Sequence, residues 1–132
     1  MAFTPSELYA RANETRRHAY APYSRFEVGA ALLAVDGRVF TGVNVENASY
    51  SVTICAERAA LAAAIAAGAR RFSAIAIAGP PGVATPPCGA CRQALTEFGS
   101  ELAVIVADER GELAELRLEG LLPHAFRLRG GV

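Results

Sequence analysis

A chain of 132 residues has the size of one compact domain and leaves little room for a second, so residues 1–132 are read as a single domain. A hydrophobic fraction of 52% against 20% charged residues is more apolar than an average soluble chain and allows a sizeable core and a buried subunit contact. Thirteen basic residues balance thirteen acidic ones, which excludes the electrostatic footprint of a duplex-binding or anionic-membrane protein, and the absence of lysine excludes Schiff-base chemistry.

The chain begins without a secretory pattern and has no run of about 20 apolar residues, so it reads as cytoplasmic. Thr4-Pro5-Ser6-Glu7 is a capping box with proline at the first helical position, and the helix it opens is expected to run to about Ala19. Phe26 to Val35 and Arg38 to Val45 are strand-like and flank Asp36-Gly37, a strong hairpin signal, which predicts an antiparallel pair. Ser51 to Ala67 is alanine-rich and is followed by Gly68, so a helix is predicted there with Cys55 near its start.

Ala74 to Ala78 is a short apolar strand, Gly79 to Pro87 a Gly/Pro-rich connector, and Gly89 to about Phe98 a helix closed by Gly99. Leu102 to Ala107 is the next strand. The strand–helix alternation favours a mixed sheet with a parallel portion covered by helices. Glu112 to Leu118 makes a fifth strand, and Leu121-Leu122-Pro123 a short turn of helix.

Three cysteines cannot all pair within one chain, and in a reducing compartment they point to metal or thiol chemistry. Cys88 and Cys91 form a C-x-x-C at one predicted helix start, and Cys55 lies at another. Together they offer three thiolates to one zinc ion and leave its fourth position open, the pattern of a catalytic site. Glu57, two residues after Cys55, suits a proton carrier beside a metal-activated water. Three thiolates make a negative metal shell, so Arg58 is expected to offset that charge by donating to a sulfur, helped by the two helix N-termini.

Thr53-Ile54-Cys55-Ala56-Glu57-Arg58 and Pro87-Cys88-Gly89-Ala90-Cys91-Arg92-Gln93 resemble the two zinc motifs of the small homotetrameric cytidine deaminases. The resemblance extends over residues 23–31 and 40–50, where Ser51 departs from the small residue expected next. It implies a three-layer α/β/α sandwich, one Zn²⁺ per subunit, and hydrolytic release of ammonia from cytidine and deoxycytidine in pyrimidine salvage. Glu57 would take a proton from the activated water, deliver it to N3 of the base, and then protonate the leaving amine. Phe26, Asn44 and Glu46 would hold the nucleoside, with Asn44 and Glu46 on the sugar hydroxyl distal to the base. The backbone near Ala56 would meet the base, and Tyr50 and Phe126 would complete sites across subunits of a homotetramer.

Three other readings compete. Cys88-Gly89-Ala90-Cys91 is also how redox cysteines stand in a thiol-disulfide oxidoreductase, although that leaves Cys55 and Glu57 without a role. A zinc-bearing interaction protein would not need Glu57 or an open coordination place. A blasticidin S deaminase resembles this family in both zinc motifs, but Asn44-Val45-Glu46-Asn47 favours an ordinary nucleoside. His18 and His124 share no motif with the cysteines, Arg70-Arg71 reads as a solvated helix end, and neutral charge without tryptophan argues against a polynucleotide substrate.

Overall fold

The structure, a computed structural model, describes residues 3–128, so the expected domain of residues 1–132 runs past them at both ends. Helix α1 (Pro5–Thr15) begins as its capping box dictates: the Thr4 hydroxyl accepts from Glu7 N at 3.1 Å, and Glu7 Oε1 accepts from Thr4 N at 2.9 Å. The α-helix ends four residues before the expected limit, and a 3₁₀ turn over Arg16–His18 tightens the chain. Tyr20 is then free to bridge Val45, giving Tyr20 N to Asn44 O at 3.0 Å and Glu46 N to Tyr20 O at 2.8 Å.

Strands β1 (Gly29–Ala34) and β2 (Val39–Val43) form the expected antiparallel hairpin, with Gly37 at a φ of 97° in its turn. They are shorter than the sequence pattern because the Asn44 side chain replaces the ladder beyond Gly29. Its Oδ1 accepts from Val28 N at 3.0 Å and its Nδ2 donates to Phe26 O at 2.8 Å.

Helix α2 (Ala56–Ala66) starts later than the predicted Ser51. Tyr50–Val52 is a 3₁₀ turn instead, and Ile54 exchanges backbone hydrogen bonds with Val45 at 2.9 and 3.0 Å. The pairing of Ile54 with Val45 holds this stretch extended, a conformation that suits the β-branched Thr53 and Ile54. As a result Cys55 becomes the N-cap of α2, an extended residue with φ −74° and ψ 152°.

Strand β3 (Phe72–Ala78), helix α3 (Gly89–Thr96), strands β4 (Ala103–Ala107) and β5 (Leu113–Arg117), and the single turn α4 (Leu118–Leu121) complete the order. The short terminal helix falls three residues before its predicted place, since Pro123 disfavours helical backbone in the residue preceding it. The sheet order is β2-β1-β3-β4-β5, five-stranded and mixed as expected, with β3 and β4 parallel and every other pair antiparallel.

Alternate residues of the central strands go to opposite faces. Ala31, Leu33, Ala76, Ala78 and Ile105 pack against Leu8 and Ala12 of α1. Ala30, Leu32, Ala34, Ile75, Ile77, Val104 and Val106 pack against Ala56, Ala60, Leu61 and Ala64 of α2 and Leu95 of α3. Both faces of the sheet are therefore covered by helices, the expected three-layer α/β/α arrangement.

Gly42 of β2 sets how closely α2 approaches: a Cβ there would lie 2.5 Å from Ala56 O and 2.9 Å from the Ala59 carbonyl carbon. Glycine is needed because the backbone of the helix lies directly on the strand.

Candidate active site

Two helix N-termini meet on the α2/α3 side of the sheet. Cys55 is the N-cap of α2, and Cys88, with φ −69° and ψ 169°, is the N-cap of α3. Cys91 follows in the first turn of α3 and is fully buried. Cys55 Sγ lies 3.8 Å from Cys88 Sγ, which lies 3.5 Å from Cys91 Sγ, and all three sulfurs fall within 4.8 Å of one another.

A tetrahedral zinc with bonds of about 2.3 Å to sulfur has edges of about 3.8 Å, so these three sulfurs fit three corners. Among the described residues this is the one group of His, Cys, Asp or Glu side chains able to hold a metal, and it contains neither histidine. Cys88 is nearly as close to Cys55 as to Cys91. The cysteines form one trio, which is not the arrangement of a redox pair with an unrelated third thiol.

The three thiols differ in how firmly they hold their protons. A hydrogen bond from Cys91 and the guanidinium of Arg58 bring Cys55 down to about 5, while the Cys55 sulfur it serves and its own burial push the Cys91 thiol up. Arg58 Nη2 stands 3.5 Å from Cys55 Sγ and 3.5 Å from Thr53 O, the contact with sulfur that its sequence position suggested. Among the described residues, Arg58 Nε is the buried side-chain nitrogen without a hydrogen-bond partner.

Glu57, in the first turn of α2, is 5% exposed. Burial pushes its carboxyl above the usual carboxylate range; its own backbone amide opposes the shift and the negative charge of Cys55 adds to it. A carboxyl so placed exchanges a proton closer to neutrality than an exposed glutamate does.

Glu57, Cys55, Cys88, Asn44 and Ala56 line one cavity of about 200 Å³, with Val28, Thr53, Thr85 and Pro86. Asn44 is 9% exposed and spends one donor and one acceptor on the backbone of residues 26–28, which leaves it one of each. Glu46 opens onto a neighbouring cavity of about 310 Å³ with Ser24, Tyr50 and Thr53, and Thr53 belongs to both.

The remaining sequence candidates do not line the cavity of the cysteines. Phe26 packs half-buried against the core and is not a wall of either cavity. Tyr50 is 70% exposed and meets Tyr23 edge to face, with ring centroids 6.2 Å apart. Phe126, 68% exposed, touches neither cavity, and its carbonyl accepts from Gln93 Nε2 at 3.1 Å. Sequence reasoning passed over Thr53, Thr85 and Pro86 as walls, although Thr85-Pro86-Pro87 leads directly into Cys88 and was open to that reading. Arg92 holds the same approach from below, donating to Pro87 O at 2.8 Å and Leu121 O at 2.9 Å.

A mixed sheet carrying a three-thiolate metal site and a buried carboxyl at two helix N-termini is the construction of a zinc-dependent deaminase. The sequence profile described as "Cytidine and deoxycytidylate deaminase zinc-binding region" matches residues 4–107, and the chain belongs to that family, with Zn²⁺ as its cofactor. The chain is 47% identical over 120 residues to a cytidine deaminase of Halalkalibacterium halodurans, covering 90% of this chain and 91% of the relative. It is 46% identical over 121 residues to a cytidine deaminase of Mycobacterium tuberculosis, covering 92% and 88%. The crystal structure of cytidine deaminase from Burkholderia pseudomallei superposes with a TM-score of 0.88 at 48% identity, covering 94% of this chain and all of the other.

Proposed function

We propose that this protein hydrolyses cytidine and deoxycytidine to uridine and deoxyuridine with release of ammonia, as a step of pyrimidine salvage. The observation that carries the reading is the buried Glu57 carboxyl on the wall of the cavity that Cys55 and Cys88 also line. Cys55, Cys88 and Cys91 would hold zinc, which when bound polarises and acidifies water at its open coordination position.

Glu57 does the proton work. Its carboxylate would accept a proton from the attacking water and pass it to N3 of the cytosine ring as the water oxygen bonds to C4. It would then take the second proton from that oxygen and deliver it to the exocyclic nitrogen, so that the C4–N bond breaks, ammonia departs and the C4 carbonyl forms. Burial supports this assignment, because it raises the proton affinity of the carboxyl above that of an exposed glutamate. The ring would lie along Ala56 and Val28, and the sugar would reach outward past Thr53 to the free amide valences of Asn44 and to Glu46. Phe26 would pack behind that sugar. Arg58 would offset negative charge on the sulfurs through its bond to Cys55.

The working form we propose is a homotetramer of single-domain subunits over residues 1–132 in the cytoplasm. Tyr20, Tyr23, Val45, Tyr50, Val52 and Ile54 lie exposed around the joined Tyr20, Val45 and Ile54 backbones, an apolar surface that favours burial against another subunit. Tyr50 and Phe126 would then complete a neighbour's site. Free thiols in all three cysteines suit a reducing compartment, and no described helix is long and apolar enough to cross a membrane. The balanced charge fits a small neutral substrate better than a polynucleotide.

The test offers zinc-loaded protein cytidine, deoxycytidine, cytosine, CMP and blasticidin S side by side and follows ammonia release. Preference for the two nucleosides is expected. Turnover of blasticidin S alone would overturn the sugar roles of Asn44 and Glu46, and turnover of none would overturn the activity.

A further inference from the structure

The Glu46 carboxylate does not stand free in its cavity. Oε1 accepts from Tyr23 N at 3.0 Å and from Ser24 N at 3.1 Å, while Oε2 accepts the hydroxyl of Ser24. The same Ser24 Oγ accepts from Phe26 N at 3.0 Å. Between these contacts Arg25 sits at a φ of 60°, a left-handed conformation that is uncommon for a residue other than glycine, and its amide donates to Ala21 O at 3.0 Å. A bend of this kind persists where its surroundings hold it on both sides. Ser24 does so, tied to Glu46 in one direction and to Phe26 in the other.

A carboxylate offers about four lone-pair positions, and the 23–24 turn fills three of them. One acceptor position therefore remains on Oε2, beside the open cavity that Ser24, Glu46, Tyr50 and Thr53 share. Glutamate has three side-chain torsions, and an acceptor is effective only if its rotamer is fixed before the ligand arrives.

We infer that Ser24 is a positioning residue: by holding Oε2 of Glu46, its hydroxyl fixes the carboxylate in the orientation that receives a sugar hydroxyl of the nucleoside. This rests on the reading that Glu46 binds the sugar. The hydrogen bond from Ser24 also keeps the carboxyl of Glu46 below the usual carboxylate range, so it is presented to the sugar as an anion. Ser24 acts through Glu46 and touches neither the base nor the sulfurs.

The experiment compares wild type, Ser24→Ala, Ser24→Thr, Glu46→Ala and the Ser24→Ala/Glu46→Ala double variant for KM and kcat on cytidine, with thermal midpoints measured in parallel. Enzyme concentrations are chosen high enough to follow the slowest variant. Ser24→Ala is expected to raise KM about five- to tenfold, as losing one charge-assisted hydrogen bond from a binding site does, with kcat changed by less than about threefold. Ser24→Thr keeps the hydroxyl and restores KM. In the Glu46→Ala background, Ser24→Ala adds no further rise, because the residue it positions is gone.

A turn-stabilising role alone gives the opposite pattern: a lower thermal midpoint and the same fold-loss in both backgrounds. That result, an unmoved KM, or a fall confined to kcat would overturn the inference. Wild-type protein inactive on cytidine refutes the proposed activity; active wild type whose KM ignores Ser24 refutes the positioning role alone.

Discussion

Replacing Gly42 by alanine tests whether the close approach of α2 to β2 is what sets the metal site. The added methyl would meet the Ala60 amide nitrogen, Ala56 O at 2.5 Å and the Ala59 carbonyl carbon at 2.9 Å. Ordinary contact for a methyl is about 3.5 Å, so the first turn of α2 must retreat by about 1 Å. Overpacking of this kind costs about 1–3 kcal/mol, and at about 4 °C per kcal/mol the thermal midpoint should fall by about 4–12 °C. The displaced turn carries Cys55 as its N-cap and Glu57 one residue inside the helix. Metal bonds tolerate about 0.2 Å, and a 1 Å misplacement of reacting groups costs about 100-fold in rate. The assay is therefore threefold: thermal midpoint, zinc per chain by elemental analysis, and kcat/KM on cytidine. Gly120→Ala in α4 is the control, since a Cβ there meets no atom within 4 Å. A Gly42→Ala protein with wild-type midpoint and wild-type kcat/KM would refute the reasoning.

Other outcomes follow from the same geometry. Glu57→Gln keeps the shape of the side chain and removes the proton carrier, so turnover should fall about 1000-fold while zinc stays at one per chain; a variant of near-normal activity would remove Glu57 from the mechanism. Arg58→Gln should lower turnover about tenfold with zinc retained, because the guanidinium at 3.5 Å from Cys55 Sγ offsets sulfur charge; unchanged turnover would end that role. Glu46 has a depressed folded pKa, held down first by the Ser24 hydroxyl, so its bonds to residues 23 and 24 are complete above the unfolded glutamate value of about 4.3 and are lost only as pH falls through the lower folded value. The amide resonances of Tyr23 and Ser24 should report that loss in an NMR titration below about pH 4.3, and a midpoint at or above the exposed-glutamate value would contradict it.

Much of the architecture was legible because the signals were local. The capping box at Thr4 and Glu7, the Asp36-Gly37 turn and the alternation of apolar strands with helices each depend on neighbours within a few residues, and each formed where it was expected. Two of the boundaries that moved did so where tertiary contacts compete with local preference. Alanine content favoured a helix from Ser51, but Val52, Thr53 and Ile54 gain more by extending beside Val45, and the helix waits until Cys55 has become its cap. Likewise the strand pattern continued through Phe26, where the Asn44 side chain, invisible to any period-two count, takes over the backbone groups of residues 26 and 28.

The same division runs through the site. The C-x-x-C spacing at a helix start, the glutamate two residues beyond a third cysteine and the arginine one further are short-range patterns, so the sequence alone determined the donor set, the candidate proton carrier and the family. Only the tertiary structure decided that Cys55 and Cys88, 33 residues apart, come within 3.8 Å, because α2 and α3 lie on one face of the sheet with β3 between them in the chain. It also decided that Glu57 is buried, that Thr53 joins two cavities, and that Glu46 is already engaged by Ser24. Burial and long-range contact are properties of the packed sheet and its helices, and no window of sequence contains them.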